Sequence, residues 1–422
     1  GTHDMTATTP LMEAGIDSLG ATEAASQLSK LIDVQLPPTI IFDYPSVREI
    51  ALHILDQSRG EAFVGTVNPH ATTHQPHTRS KALIISGMAM RSPGGEATAA
   101  AVWQALCASS DAIGHPPTSR WSIHDIPQQS EPLFYNWPTA TMHGGFIADI
   151  EYFDNNSFGI SAMEASVIDP QQRMLLEFGY MALHGAGARR ANLHGSSTCV
   201  FVGIERPDWA LIQAFSQKGT NASVYGATSD TTSVASGRLS FSLGLHGACA
   251  SIDAACASGL ACLHSAELVI NAAEGDRALV GAVSLKLLPQ PTLAAATAGM
   301  LSADGRCKTF DVHANGYVRS DAIASLALST HQFQNATTLC SSVVRQDGRS
   351  ASLTAPNGSA QKALLLSTLH KAGGTSADVG TIEAHGTGTS LGDPTESGAL
   401  ALALCTHAVS YTHLRAHETD SY

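Results

Sequence analysis

The chain has 422 residues, of which 44% are hydrophobic and 14% charged, with 37 glycines and a formal charge of −13 at neutral pH. That length and apolar content allow two or three domains with a large buried core, and the scarcity of charge reads as a covered α/β sheet rather than disorder. The acidic balance argues against nucleic acid, no stretch reaches the apolar length of a membrane span, no N-terminal signal is visible, and eight scattered cysteines read as reduced intracellular thiols, of a cytoplasmic or else a plastid protein, rather than a disulfide framework.

In chain order, residues 10–55 hold Asp17-Ser18-Leu19 and then an amphipathic run with Leu19, Thr22, Leu28 and Leu31 among its apolar or neutral positions, so a helix is expected to open at Ser18. Asp17 or Ser18 can serve that helix as N-cap. Glu13, Asp17 and Glu23 place acid near Ser18, either as a docking face for basic surfaces or as solvated helix acids. Residues 58–80 lack periodicity and read as a linker, and His70, His74 and His77 within it lack the Cys or carboxylate company of a metal site.

Residues 81–90 read as the first buried strand, followed by strands at 197–204, 247–254, 277–285 and 379–385, with helical stretches such as 257–274 and 359–372 between them. Alternation of this kind predicts a mainly parallel sheet covered on both faces. At 253–256 a short apolar segment ending in Asp253-Ala-Ala meets Cys256 and then a Gly- and Ala-rich helical stretch. A helix N-terminus favours a thiolate and offers N–H groups to an oxyanion. Cys249 lies in the strand and Cys262 within the helix, so both read as inert.

The run 305–311 is turn-rich, and its Cys307 is a poor nucleophile because no helix start follows; Asn315-Gly316 supplies a tight turn. His385 follows a short apolar strand and precedes Gly386-Thr387-Gly388-Thr389, backbone with little side-chain bulk, as a narrow substrate approach needs. A Cys nucleophile and a His, each at the end of a buried strand, point to acyl transfer. Asp393-Pro-Thr-Glu396 has the form of a cap on the helix that follows, with no chemistry assigned. His407, His413 and His417 lie in the tail 405–422, which shows no periodic element.

The motifs "DAACASGL", "AGMLSADGRCKTFDVHANGYVRSD" and "EAHGTGTSLGDPTE", in that order, resemble the β-ketoacyl synthase domain of modular type I polyketide synthases. The segment around Ser18, with "LPPTIIFDYPSVREIALHI", is similar to an acyl carrier protein. The resemblance implies a partial all-α helical-bundle carrier domain at 1–57, a linker at 58–80, a C-terminally truncated synthase of thiolase-like layered αβαβα fold at 81–404 with its second half incomplete, and an unassigned tail at 405–422. It implies decarboxylative Claisen condensation, with the growing acyl chain on Cys256, the oxygen of the forming enolate or carbonyl stabilised by His385, and the pantetheine arm held by Thr387 and Thr389. It also implies 4′-phosphopantetheine on Ser18, no metal, a homodimeric parent, and acyl carrier protein with acyl and malonyl thioesters as partners. The family's lysine and second histidine, and its later Gly- and Phe-bearing loop, are not matched, both ends read as cut, and weak condensation is expected. A fatty-acid synthase would use nearly the same motifs. A thiolase or chalcone-type enzyme would lack the "HGTGT" loop and the carrier, and a non-catalytic acyl-binding or dimerisation module would not need Cys256.

Overall fold

The computed structural model describes residues 6–9, 11, 18–32, 34, 36, 40–59, 82–95, 98–121, 140–205, 208–216, 224–331, 336–404 and 414–415. The chain divides into two compact units, one drawn from Ser80–Lys308 and Asn315–Ser342, the other from Gly1–Arg79, Thr309–Ala314 and Val343–Ala416. The expected linker histidines and most of the tail fall outside the described residues.

The second unit opens with helices α1 (Ser18–Ile32), α2 (Ile40–Asp43) and α3 (Val47–Arg59). Ser18 is the first residue of α1, where the sequence places a helix start. The inward stripe of α1 is Ala21, Ala24, Ala25, Leu28 and Ile32, spaced by three and four residues, which packs with Leu36, Ile40, Ile41 and Ile50. Leu31 is not part of it: one position round from Ile32, it is 81% exposed. The same core takes in Ala351, Ala355 and the partly buried Leu391 from later in the chain. At the start of α3, Ser46 and Glu49 form a reciprocal cap, with the serine N–H and hydroxyl donating to the carboxylate at 3.0 and 2.8 Å and Glu49 N–H returning to the hydroxyl at 3.3 Å.

The first unit is built on a six-stranded sheet of β1 (Leu83–Arg91), β2 (Cys199–Ile204), β3 (Cys249–Ile252), β4 (Arg277–Ser284), β5 (Ala322–Ser329) and β6 (Thr338–Leu339), in the order β3-β2-β4-β5-β1-β6. Side chains of β2 alternate between two cores: Val200, Val202 and Ile204 face one, Cys199 and Phe201 the other. In β4 the same alternation sends Leu279 and Val283 one way and Ala278 and Val280 the other. Helices α4 (Pro170–Gly185) and α5 (Thr232–Leu243) supply the first core, and α6 (Ser258–Asn271) supplies the second through Cys262, Ala266 and Ile270. The result is a sheet between two helical layers, the α/β class expected.

Two expectations need correction. The sheet is mixed: β2 runs parallel to β3 and β4, but β4–β5, β5–β1 and β1–β6 are antiparallel. The antiparallel sense enters through β5, a strand whose interleaved serines hid it among the loops. Nor are the strands before Cys256 and His385 buried. Every residue of β3 is exposed or half-buried, because β3 is an edge strand with one neighbour. The segment before His385 forms only the two-residue strand Ile382–Glu383, paired with Leu414–Arg415 outside the large sheet. Among the described residues no helix is long and apolar enough to cross a membrane.

Candidate functional site

Cys256 sits in a short 3₁₀ turn, Ala255–Ala257, between β3 and α6. Three side-chain bonds pin the turn. The Asp253 carboxylate accepts from Ala255 N–H at 3.1 Å, and the Ser258 hydroxyl accepts from Ala254 N–H at 2.8 Å while donating to the Ala255 carbonyl at 2.7 Å. Ser258 is buried against Gly203 of β2, where any Cβ would lie 3.0 Å from the Ser258 main chain and Cβ. The cost of the turn falls on Ala255, held at φ +50°, a left-handed conformation unfavourable to an L-residue by about 1–2 kcal/mol. Such strain persists only where surrounding contacts impose it. Its effect is to lift the next side chain, Cys256, to the surface, where it is exposed.

The other cysteines separate as expected in part. Cys262 is buried, and burial pushes its thiol up to about 12. Cys199 is also buried and its thiol raised by burial. Cys249, read as an inert strand residue, is exposed at the first position of the edge strand. The Cys307 sulfur accepts from Val318 N–H at 3.2 Å, which gives it a structural partner.

His385 belongs to the other unit and is exposed on a largely half-buried loop leading into helix α7 (Gly392–Leu404). That loop is held by side chains on its own helix. The Glu396 carboxylate accepts from His385 N–H at 2.6 Å and Gly386 N–H at 2.9 Å, and Asp393 accepts from Gly388 N–H at 3.1 Å and Phe310 N–H at 2.7 Å. Thr309 adds a hydroxyl bond of 2.7 Å to the Gly386 carbonyl. Gly386 and Gly388 take φ of +53° and +70°, which glycine adopts at little cost.

These bonds correct the reading of Asp393-Pro-Thr-Glu396 as a cap for its own helix. The helix begins one residue earlier, at Gly392, so Asp393 lies in its first turn with its carboxylate aimed back at loop amides. The hydroxyl nearest a capping role is that of Thr389, which accepts from Gly392 N–H at 3.1 Å. Thr387 and Thr389 are brought together, hydroxyl to hydroxyl at 3.0 Å. A Cβ on Gly392 would lie 2.5 Å from the Thr389 hydroxyl and 3.0 Å from that of Thr387, so the bare glycine preserves the space beside the pair.

Of the acids grouped near Ser18, Glu23 is exposed and accepts from Gln27 Nε2 at 3.0 Å, while Glu13 and Asp17 lie outside the described residues. Among the described residues no cluster of His, Cys, Asp and Glu could hold a metal ion. Sequence reading missed Glu396 as the support of His385, and it missed Glu205 and Lys286, each a charge immediately beyond an apolar strand run. A charge placed there in so charge-poor a chain was the available signal.

Three family models match the chain in succession: phosphopantetheine attachment site over residues 1–54, β-ketoacyl synthase N-terminal domain over 80–333, and β-ketoacyl synthase C-terminal domain over 336–416. The spectinabilin polyketide synthase system protein NorA' of Streptomyces orinoci is 36% identical over 407 residues, covering 95% of this chain and 11% of that protein. Erythronolide synthase EryA2 of Saccharopolyspora erythraea is 34% identical over 396 residues, 92% of this chain and 11% of that protein. The chain thus spans about a tenth of the length of these relatives. Among solved structures, the Streptomyces albus JA3453 oxazolomycin ketosynthase domain OzmH KS7 superposes with a TM-score of 0.70 at 30% identity, over 80% of this chain and 58% of that one. The ketosynthase from module 6 of the bacillaene synthase from Bacillus subtilis 168 gives 0.65 at 32% identity, over 77% and 54%.

Proposed function

The chain belongs to the β-ketoacyl synthase family of polyketide synthases, and from that membership we propose that it contributes the elongation step, in which an acyl group held on Cys256 is condensed with a malonyl-type extender. The observation that carries this reading is the pinned, strained turn that presents Cys256 at the junction of β3 and α6. In the first half-reaction the Cys256 thiolate attacks the carbonyl carbon of an acyl thioester, a new C–S bond forms, and the donor thiol departs. In the second, loss of carbon dioxide from the extender leaves an enolate that attacks the Cys256 acyl carbon, forms the C–C bond and returns the thiolate. Decarboxylation generates the carbon nucleophile, so His385 is not needed as a base. Its role is to donate an N–H toward the oxygen on which charge develops. Glu396, by fixing the His385 main chain, orients that donor.

The side chains present fit a phosphopantetheine arm: Thr387 and Thr389 offer adjacent hydroxyls to its amides, and Gly392 leaves room beside them. Attached to Ser18, the group supplies a flexible thiol that carries acyl chains as thioesters. The domain limits proposed are 1–57 for the carrier segment and 81–404 for the synthase, joined by 58–80, with carrier-bound acyl and malonyl thioesters as substrates and a homodimeric, cytoplasmic parent.

The test is acylation of the purified chain by an acyl N-acetylcysteamine thioester, followed by intact mass and peptide mapping. The expected result is one adduct on Cys256, abolished in Cys256→Ala. No adduct on Cys256 would instead favour a non-catalytic acyl-binding module.

A further inference from the structure

The strand register places a group of charges at the same end of the sheet as Cys256. Gly203 of β2 pairs with Ile252 of β3 on one side and Ala282 of β4 on the other, and Ser284 of β4 pairs with Ala322 of β5. Glu205 just beyond β2, the Cys256 turn beyond β3, Ser284 and Lys286 at the end of β4, and Arg319 just before β5 therefore emerge together. In open α/β sheets this carboxyl end of the parallel strands is where ligands bind.

The charges form one connected group. Glu205 Oε1 accepts from Lys286 Nζ at 2.7 Å and from the Ser284 hydroxyl at 2.6 Å, and Arg319 Nη2 lies 3.7 Å from the same oxygen. Lys286 also donates to Ser284, and Arg319 reaches Thr292 Oγ1 at 3.4 Å. Burial pushes the Glu205 carboxyl up, but Lys286, Ser284 and Arg319 outweigh it and hold the group below its ordinary range. Burial and Arg319 together depress the Lys286 ammonium, with Glu205 opposing. The Tyr317 phenol is raised by burial, pulled down by Arg319 and raised further by Cys256 and Glu205.

Burying such ions costs several kcal/mol each before their mutual attraction is counted, and a pocket for a plain hydrocarbon chain is better lined with apolar residues. The Lys286 and Arg319 side chains are 8% and 16% exposed, whereas Glu205 is 38% exposed. Every hydrogen bond and ion pair of Glu205 among the described residues falls on Oε1, and its carboxylate is the exposed member of the group. Behind the group, the buried Asp321 pairs with Arg120 at 2.9 Å and Asp208 accepts from the Leu287 and Leu288 amides, so neither carboxylate is open to a ligand. Glu205 offers an acceptor beside the donors Lys286 and Arg319, which suits a hydroxyl, a neutral group that both donates and accepts.

We infer that Glu205, Lys286 and Arg319 form a polar subsite beside Cys256 that selects acyl chains bearing a hydroxyl group over fully saturated chains. The inference rests on the acyl-transfer reading above, and its test separates the two. The whole chain is acylated with hexanoyl, 3-hydroxyhexanoyl and 5-hydroxyhexanoyl N-acetylcysteamine thioesters, each forming a Cys256 thioester and releasing N-acetylcysteamine, with rates followed by intact mass. At least one hydroxylated chain is expected to react about fivefold faster than hexanoyl, a difference of about 1 kcal/mol. Lys286→Met and Glu205→Gln are expected to bring the ratio toward one. Equal rates in the unmodified chain, a preference for hexanoyl, or a ratio indifferent to both substitutions would overturn the subsite while leaving acyl transfer intact. Failure of all three thioesters to label Cys256 would overturn both. The ratio measured in the unmodified chain decides the matter even if a variant does not fold.

Discussion

Replacing Glu396 by alanine isolates the support of His385 from the imidazole itself. The carboxylate takes two main-chain donors on consecutive residues, at 2.6 and 2.9 Å, so one substitution removes both bonds. A hydrogen bond whose lost partner water can replace contributes a net of roughly 0.5–1.5 kcal/mol, and a charged acceptor puts each of these in the upper part of that range, about 1–1.5 kcal/mol. Glu396 is half-buried and His385 exposed, so the pair together is worth about 2–3 kcal/mol against local opening of the loop. Amide hydrogen exchange at His385 and Gly386 should then accelerate by roughly 30- to 150-fold in Glu396→Ala, at about 1.4 kcal/mol per tenfold. Glu396→Gln, which keeps one carbonyl oxygen, should show a smaller acceleration. Leu402→Ala, an exposed position on the same helix, is the control and should leave both amides unchanged. If both amides exchange in Glu396→Ala as they do in the unmodified chain, the carboxylate does not hold the loop and its proposed role in aiming His385 fails.

Iodoacetamide should modify Cys256 and spare Cys262, whose thiol is buried and raised to about 12; prior treatment with an acyl thioester should protect Cys256, and peptide mapping reads both outcomes. Ala255→Val should destabilise by about 2 kcal/mol, because a β-branched side chain tolerates φ +50° poorly, whereas Ala255→Gly should be neutral or slightly stabilising, as thermal denaturation will show. Asp169, buried and raised to about 6 chiefly by burial, binds its proton more tightly folded than unfolded. Its stabilising effect is full below pH ~4 and lost as pH rises through 6, about 3 kcal/mol in all; Asp169→Asn should remove that slope in urea titrations compared between pH 4 and 7.

The positions of the strands could be read because β2 and β4 are apolar at nearly every residue, as strands covered on both faces must be. The same rule concealed β5, whose serines at 325 and 329 break the apolar run although both are buried in the sheet. The Cys256 turn was legible because its elements are contiguous: an acid, two alanines, the thiol and a helix start within a few residues. Asp393 and Glu396 were misread because a local pattern cannot say which amides a carboxylate will meet. Those it met belong to the preceding loop and to Phe310, 83 residues earlier in the chain. Glu205 and Lys286 are 81 residues apart, and only the register of β2 against β4 brings them together.

What these carboxylates bond to separates structural charges from the one singled out above. Asp208 accepts from the Leu287 and Leu288 amides, Asp321 from those of Lys286 and Ile147, Asp393 from Gly388 and Phe310, and Glu396 from His385 and Gly386. Each therefore satisfies main-chain donors at the end of a strand or loop, and removing any of them would leave amides without their acceptor. Glu205 accepts from side chains alone, those of Lys286 and Ser284. An isosteric apolar set could replace the Glu205–Lys286 pair without orphaning any backbone group, and such replacements are often neutral or stabilising. An ion pair of one buried cation and one exposed carboxylate, which the backbone does not need and which stands at the end of the parallel strands beside the Cys256 turn, is the feature on which the proposed subsite rests.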